Sequence, residues 1–179
     1  MLPRLATFLL LATSVVAIVA LGGCGVSAHE IEVNEGESLE LGDLRFDVQI
    51  TRFLNPSSVE DAGYLEGAPP LAKGQVYLGV FMQVKNEGEG ANVVPFPFKI
   101  TDTRGTIYVE EDIENDFALV PGTPLDPDQS VPGLETVARN GPIEGSLILF
   151  RIPESSTENR PFQLEVPGPG EPGEIELDL

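Results

Sequence analysis

The sequence predicts an all-β fold, a β-sandwich of about seven to nine strands. Three observations lead there. Apolar residues recur at every second position in several short runs, the period of a strand with one face on a core. Nineteen glycines and sixteen prolines punctuate the chain, and they cluster between those runs, where turns are made. No segment after residue 24 keeps a helical apolar period over three turns.

Residues 25–37 are small, polar and acidic around a brief Ile31-Glu32-Val33 alternation, and read as a tether leading into a first strand. Ser38 to Leu41 alternates, and Gly42-Asp43 marks a turn. Residues 44–51 alternate cleanly, with Leu44, Phe46, Val48 and Ile50 expected on one face. Residues 55–74 hold three prolines and three glycines and form a long loop, which Tyr64 and Leu65 are placed to pin down. Residues 76–85 are the strongest strand. Val76, Leu78, Val80, Met82 and Val84 share one face, and Tyr77 and Phe81 lie on the other, so the strand is central.

A turn follows at residues 86–90. Residues 95–100 alternate again, but Pro95 and Pro97 cannot donate ladder hydrogen bonds, which places the segment at an edge or a strand start. Residues 102–105 turn the chain into a return strand at 106–109. Residues 110–133 are a second long, acidic, Pro-containing connection, and Leu134 to Ala138 reads as a strand. Residues 145–152 form a dense apolar strand, with Leu147, Leu149 and Arg151 on one face and Ile148, Phe150 and Ile152 on the other. Residues 162–166 and 175–179 alternate around a Pro-Gly stretch at 167–173.

The amino-terminal segment is not part of this domain. Arg4 precedes an uncharged run, Leu5 to Leu21, rich in Leu, Ala, Val and Ile, the layout of an export signal. The run ends at Leu21-Gly22-Gly23-Cys24, which resembles the lipobox of bacterial lipoproteins: an aliphatic residue, two small ones, then cysteine. The resemblance implies cleavage before Cys24 and lipidation of its thiol, a nucleophile suited to accept an acyl-bearing group. Each buried methylene of such a chain adds about 0.8 kcal/mol, so two or three chains hold the protein to the outer face of the membrane. The expected organisation is a signal at 1–23, a lipidated tether at 24–37 and the sandwich at 38–179. Cys24 is the only cysteine, so the domain stands without disulfides.

Without residues 1–23 and their one arginine, 9 Lys+Arg face 29 Asp+Glu, a formal charge of −20. So acidic a surface repels phosphate backbones, which excludes nucleic acid as a partner. The expected partners are the membrane, through the lipid, and an extracytoplasmic protein or envelope component. His29 is the only histidine and lies in the tether, so neither a Ser-His-Asp triad nor a zinc site is expected. No glycine-rich phosphate loop occurs. The chain reads as a non-catalytic module with no cofactor. Two carboxylate clusters stand out, Glu110, Glu111, Asp112, Glu114 and Asp116 in one and Asp126 and Asp128 in the other. Hard oxygen ligands close in sequence would suit calcium, and a carboxylate pair would suit glycoside hydrolysis. Neither cluster has an EF-hand spacing, and a solvated acidic loop is the simpler reading.

Several of these segments together are similar to a family. They are the lipobox, the opening Gly42-Asp43-Leu44-Arg45-Phe46, the strand Tyr77 to Asn86, the hairpin Thr101-Asp102-Thr103-Arg104-Gly105 and the strand Leu147 to Pro153. The pattern resembles Gram-positive and actinobacterial surface lipoproteins that carry a telokin-like, immunoglobulin-like domain of unknown function. The resemblance spans roughly residues 38–166. It implies a β-sandwich and brings no catalytic residues, and the chain lacks the paired cysteines and core tryptophan of antibody domains.

Overall fold

The computed structural model describes residues 32–179. The expected export signal at 1–23, the motif Leu21 to Cys24 and His29 lie outside the described residues. None of the described helices is long and apolar enough to cross a membrane.

Two sheets pack face to face. The first has the order β1 (Glu32–Asn34), β12 (Gly173–Leu177), β11 (Phe162–Val166), β6 (Lys99–Thr101), β7 (Ile107–Val109). The second runs β10 (Ser146–Pro153), β4 (Gln75–Asn86), β3 (Leu44–Leu54), β2 (Ser38–Leu41), with β9 (Ser130–Val131) also on β4. A small ladder joins β5 (Asn92–Val93) to β8 (Pro124–Leu125). All pairings between these strands are antiparallel except β1 with β12. The all-β sandwich stands as expected, with more strands than seven to nine because several connections contain strands of two or three residues.

The interior between the sheets follows the alternation. Phe46, Phe98, Phe150 and Phe162 are fully enclosed there with Leu78, Val80, Met82 and Val84 of β4. Each such side chain contributes about 1.5–3 kcal/mol by leaving water, which is the support a domain without disulfides depends on. β4 is central, paired with β3 on one side and with β10 and β9 on the other. Gly42, at φ +62°, supplies the positive φ that the tight β2–β3 turn needs at its first central position.

The other face of the second sheet is also covered. Tyr77, Phe81, Leu147 and Leu149 meet Tyr64, Leu65 and Leu71 of the 55–74 loop and Ile113 and Phe117 of the 110–133 connection. Tyr64 stands edge-on to Phe81 at 5.0 Å and to Phe117 at 4.6 Å. Asn115 Nδ2 donates to the carbonyls of Tyr64 at 3.1 Å and Glu66 at 2.9 Å, tying the two loops together. The buried Asp61 carboxylate accepts from the Asn55 amide at 2.8 Å and pairs with Arg52, closing the start of the loop. The two long connections form a third layer.

Three expectations change and one choice between alternatives is resolved. A register shift between Val48 and Ile50 turns β3, so Ile50 faces solvent and Thr51 is buried in its place. β6 begins only at Lys99 and lies between β11 and β7, so the prolines mark a strand start and not an edge. Leu134 to Ala138 is not a strand. The Thr136 side chain caps a one-turn helix, α1 (Val137–Asn140), by accepting from the Arg139 amide, and the cap competes with extended pairing. Finally, β1 lies inside the expected tether at 24–37. It pairs with β12, and the Glu35 carboxylate then accepts from the amides of Thr51 at 2.9 Å and Asp178 at 3.0 Å, linking the two sheets.

Candidate functional site

At the end of β7 the chain leaves the first sheet and crosses to the second. It lies along the outer edge of β10, where the Glu111 amide donates to Leu149 O at 2.7 Å, the Leu147 amide to Phe117 O at 2.7 Å and the Leu119 amide to Leu147 O at 2.8 Å. The crossing covers the edge of β10. Between it and β7 it leaves a groove of about 410 Å³. Buried Ile113, Leu119, Leu147 and Ile148 line it together with the exposed apolar side chains of Phe96, Val109 and Val120. Pro97 and Pro121 complete the apolar wall, and Glu110, Glu111 and Asp112 add three acids.

The three acids differ in state. Arg151 holds Glu111 by two bonds, Nε to Oε1 at 2.7 Å and Nη2 to Oε2 at 3.0 Å, and also donates to Pro70 O at 3.2 Å. Glu111 is thereby a structural clamp between β10 and both long loops. Neither Glu110 nor Asp112 has an ion-pair partner among the described residues. Burial lifts the Glu110 carboxyl from its ordinary value to about 7, and nearby Asp112 adds to the rise, while the Phe98 amide pulls the other way. A carboxyl group that titrates near neutrality in a half-apolar cleft is a marker of functional sites.

The predicted carboxylate clusters do not assemble as metal ligands. Among the described residues no group of three or more Asp, Glu, His or Cys side chains is placed to hold a metal ion. Glu110 and Asp112 line the groove, while Glu114 and Asp116 are exposed beyond it. Asp126 and Asp128 belong to a separate turn, in which the Gln129 amide donates to Asp126 O at 3.0 Å. Asp128 adopts φ 63° there, and its amide donates to Asn86 O at 3.0 Å. Aspartate tolerates this left-handed conformation, so the residue has a structural role in the turn.

Asn86 organises the neighbouring loops. Fully buried, it donates from Nδ2 to the carbonyls of Gly90 at 2.8 Å and Leu125 at 2.9 Å. Its Oδ1 accepts from the Gly88 amide at 3.1 Å and from Asn92 Nδ2 at 3.2 Å. Of the groove's apolar rim, Val120 lies in the 110–133 connection, one of the two long loops expected to make contacts, while Phe96 and Val109 escaped the sequence reading. The rim's signal there is apolar residues beside prolines on both sides of an acidic run.

No family model matches the chain, and no curated protein matches it. Solved structures do. An uncharacterized beta-sandwich protein from Clostridium difficile 630 superposes with a TM-score of 0.50 at 16% identity, over 82% of this chain and 93% of that one. The yjhA protein of Bacillus subtilis superposes with a TM-score of 0.53 at 14% identity, over 81% and 99%. A third, from the same species, described as a "putative lipoprotein (ycdA)", matches with a TM-score of 0.50 at 16% identity, over 82% of this chain and 38% of that one. The protein shares the β-sandwich fold of these neighbours, and at such identities the likeness extends to the fold alone.

Proposed function

We propose that the protein is a membrane-anchored extracytoplasmic lipoprotein of the telokin-like type, held through Cys24, and that its sandwich is a non-catalytic binding module. The observation that carries the binding role is the groove beside β7, where apolar side chains stay exposed around an unpaired, half-buried Glu110. Exposed apolar patches with a few convergent polar groups are where soluble domains meet partners. The apolar amino-terminal run and the lipobox-like Leu21-Gly22-Gly23-Cys24 support the location, and the likeness to a protein described as a lipoprotein agrees with it.

The test places a photo-crosslinking amino acid at Val120 in cells that express the full chain, and as a control at Val59, which is 92% exposed and does not line the groove. Adducts from position 120 and not from 59 are expected. Equal adducts from both, or none from 120, overturn the binding role. Cys24→Ser is expected to abolish labelling by a fatty-acid probe and to release the chain from the membrane fraction; retention with full labelling overturns the anchor.

A second reading, an envelope hydrolase using an acid pair, draws on the placement of Glu110 and Asp112 together in the groove, where burial lifts the Glu110 carboxyl to about 7, the range suited to a general acid. Loss of an envelope-cleaving activity in Glu110→Gln would favour it over the binding module.

A further inference from the structure

β7 is an unprotected strand edge. The Asp102 amide donates to Thr106 O at 3.0 Å and the Glu110 amide to Phe98 O at 3.2 Å. With the register Lys99 to Val109, Ile100 to Tyr108 and Thr101 to Ile107, residues 106, 108 and 110 turn their backbone groups toward β6. In an antiparallel ladder the alternate residues face away, so Ile107 and Val109 direct N–H and C=O outward. No hydrogen bond is formed on that side among the described residues. The two residues are 59% and 51% exposed.

Proteins blunt free edges with lysine, proline, inward charge or a covering segment. The facing edge, β10, has such a cover in the 111–119 crossing. β7 reads Ile-Tyr-Val and carries none of these devices. Beside it runs the groove, with Val109 common to both.

The charges select the occupant. Two cations by the groove are already committed, Lys99 to Glu165 at 2.6 Å and Arg151 to Glu111 at 2.7 Å. Glu110 and Asp112 are left facing the groove without a cation. A second copy of the chain would bring its own net −19 against this one, which opposes pairing of two such edges.

We infer that β7 and its groove take an extended peptide segment of a partner protein, one alternating cationic and apolar residues. The segment adds a strand to the sheet through the backbone of Ile107 and Val109. It lays an apolar side chain against Phe96 and Val120 and a lysine or arginine toward Glu110 and Asp112. Main-chain pairing supplies affinity and the alternate side chains supply selectivity, as in other strand additions. The inference rests on the binding-module reading and names its partner class.

The experiment uses the full chain in maltoside detergent and a synthetic octapeptide of alternating lysine and valine, with alternating glutamate and valine as the control. Amide hydrogen exchange reads the site directly: the amides of Ile107 and Val109 are expected to slow when the lysine peptide is present. Val109→Pro removes one donor and is expected to weaken binding about fivefold or more. Glu110→Gln is expected to weaken it about three- to tenfold, and Asp126→Asn with Asp128→Asn to change it little. Binding that leaves 107 and 109 unprotected, equal binding of the glutamate peptide, or no binding overturns the inference. So does protection that grows with protein concentration in the absence of peptide, which assigns the edge to a second copy. Adducts from Val120 in cells would survive each of these failures, so the peptide inference and the wider binding role fall separately.

Discussion

Replacing Glu110 by glutamine should make the protein more stable at alkaline pH and flatten its pH dependence. Glutamine copies the size of the protonated carboxyl but cannot ionise. In the wild-type fold the Glu110 carboxyl is raised from 4.5 to about 7, chiefly by burial. Between those values the folded protein keeps a proton that the unfolded chain has released. The folded state therefore binds more protons, so the stability linked to this group is present in full below 4.5 and is lost as pH rises through about 7. For a fully desolvated group that difference is about 3.4 kcal/mol. Glu110 opens to solvent on the groove side, and screening brings the expected value to about 1–2 kcal/mol. Urea unfolding followed by far-ultraviolet circular dichroism, at about pH 5 and about pH 8, measures it. Wild type should lose about 1–2 kcal/mol relative to Glu110→Gln between the two conditions. Parallel pH curves for the two proteins would refute the reasoning, because they would mean that Glu110 titrates alike folded and unfolded.

Three further substitutions probe the scaffold. Asn86→Ala strips partners from two carbonyls, an amide and Asn92 in a buried setting, and should cost about 2–4 kcal/mol in urea unfolding. Gly79→Ala would place a Cβ 2.9 Å from Leu147 Cδ1 and 3.0 Å from Leu54 Cδ1; overpacking there should cost about 1–3 kcal/mol, read as a lower thermal midpoint. Arg151→Ala frees Glu111 and the Pro70 carbonyl together, and should cost about 1–2 kcal/mol. It should also speed limited proteolysis within residues 66–73 and 110–116, whereas an unchanged cleavage pattern would mean that Arg151 does not clamp those loops.

The strands were legible where local pattern and burial agree. β4 shows why: Val76, Leu78, Val80, Met82 and Val84 alternate with Tyr77 and Phe81, and a strand apolar on both faces must be covered on both. The same holds for β10, whose Leu147 and Leu149 serve the outer cluster while Ile148, Phe150 and Ile152 serve the core. What escaped was set by geometry that no short window contains. The shift at Val48–Ile50 swaps the faces of β3 without a glycine or proline to announce it. β1 pairs with β12 across about 140 positions of sequence, and the brief alternation at Ile31-Glu32-Val33 is too short to tell a strand from a tether. Leu134 to Ala138 has too little pattern to outweigh one cap hydrogen bond from Thr136. The acidic run 110–116 was visible as a run. Its residues look alike in sequence, yet Arg151 neutralises Glu111, burial keeps a proton on Glu110 near neutrality, and Glu114 and Asp116 stay in water. Those distinctions depend on where the crossing from β7 to β10 comes to rest.

The early start of β1 also sets the length of a leash. With Cys24 as the anchoring residue, as proposed, only residues 25–31 separate the lipid from the first paired strand. Covalent geometry limits that span to about 28 Å even when fully drawn out, about the thickness of the membrane's own hydrocarbon core. So tethered, the sandwich would turn over the bilayer surface without reaching far above it. β1, where the leash attaches, and β7, where the groove begins, are the opposite edges of one five-stranded sheet, separated by about 19 Å at the usual strand spacing. A partner would therefore meet this protein in a shallow zone next to the membrane, so molecules that stay out in the bulk medium lie beyond its reach.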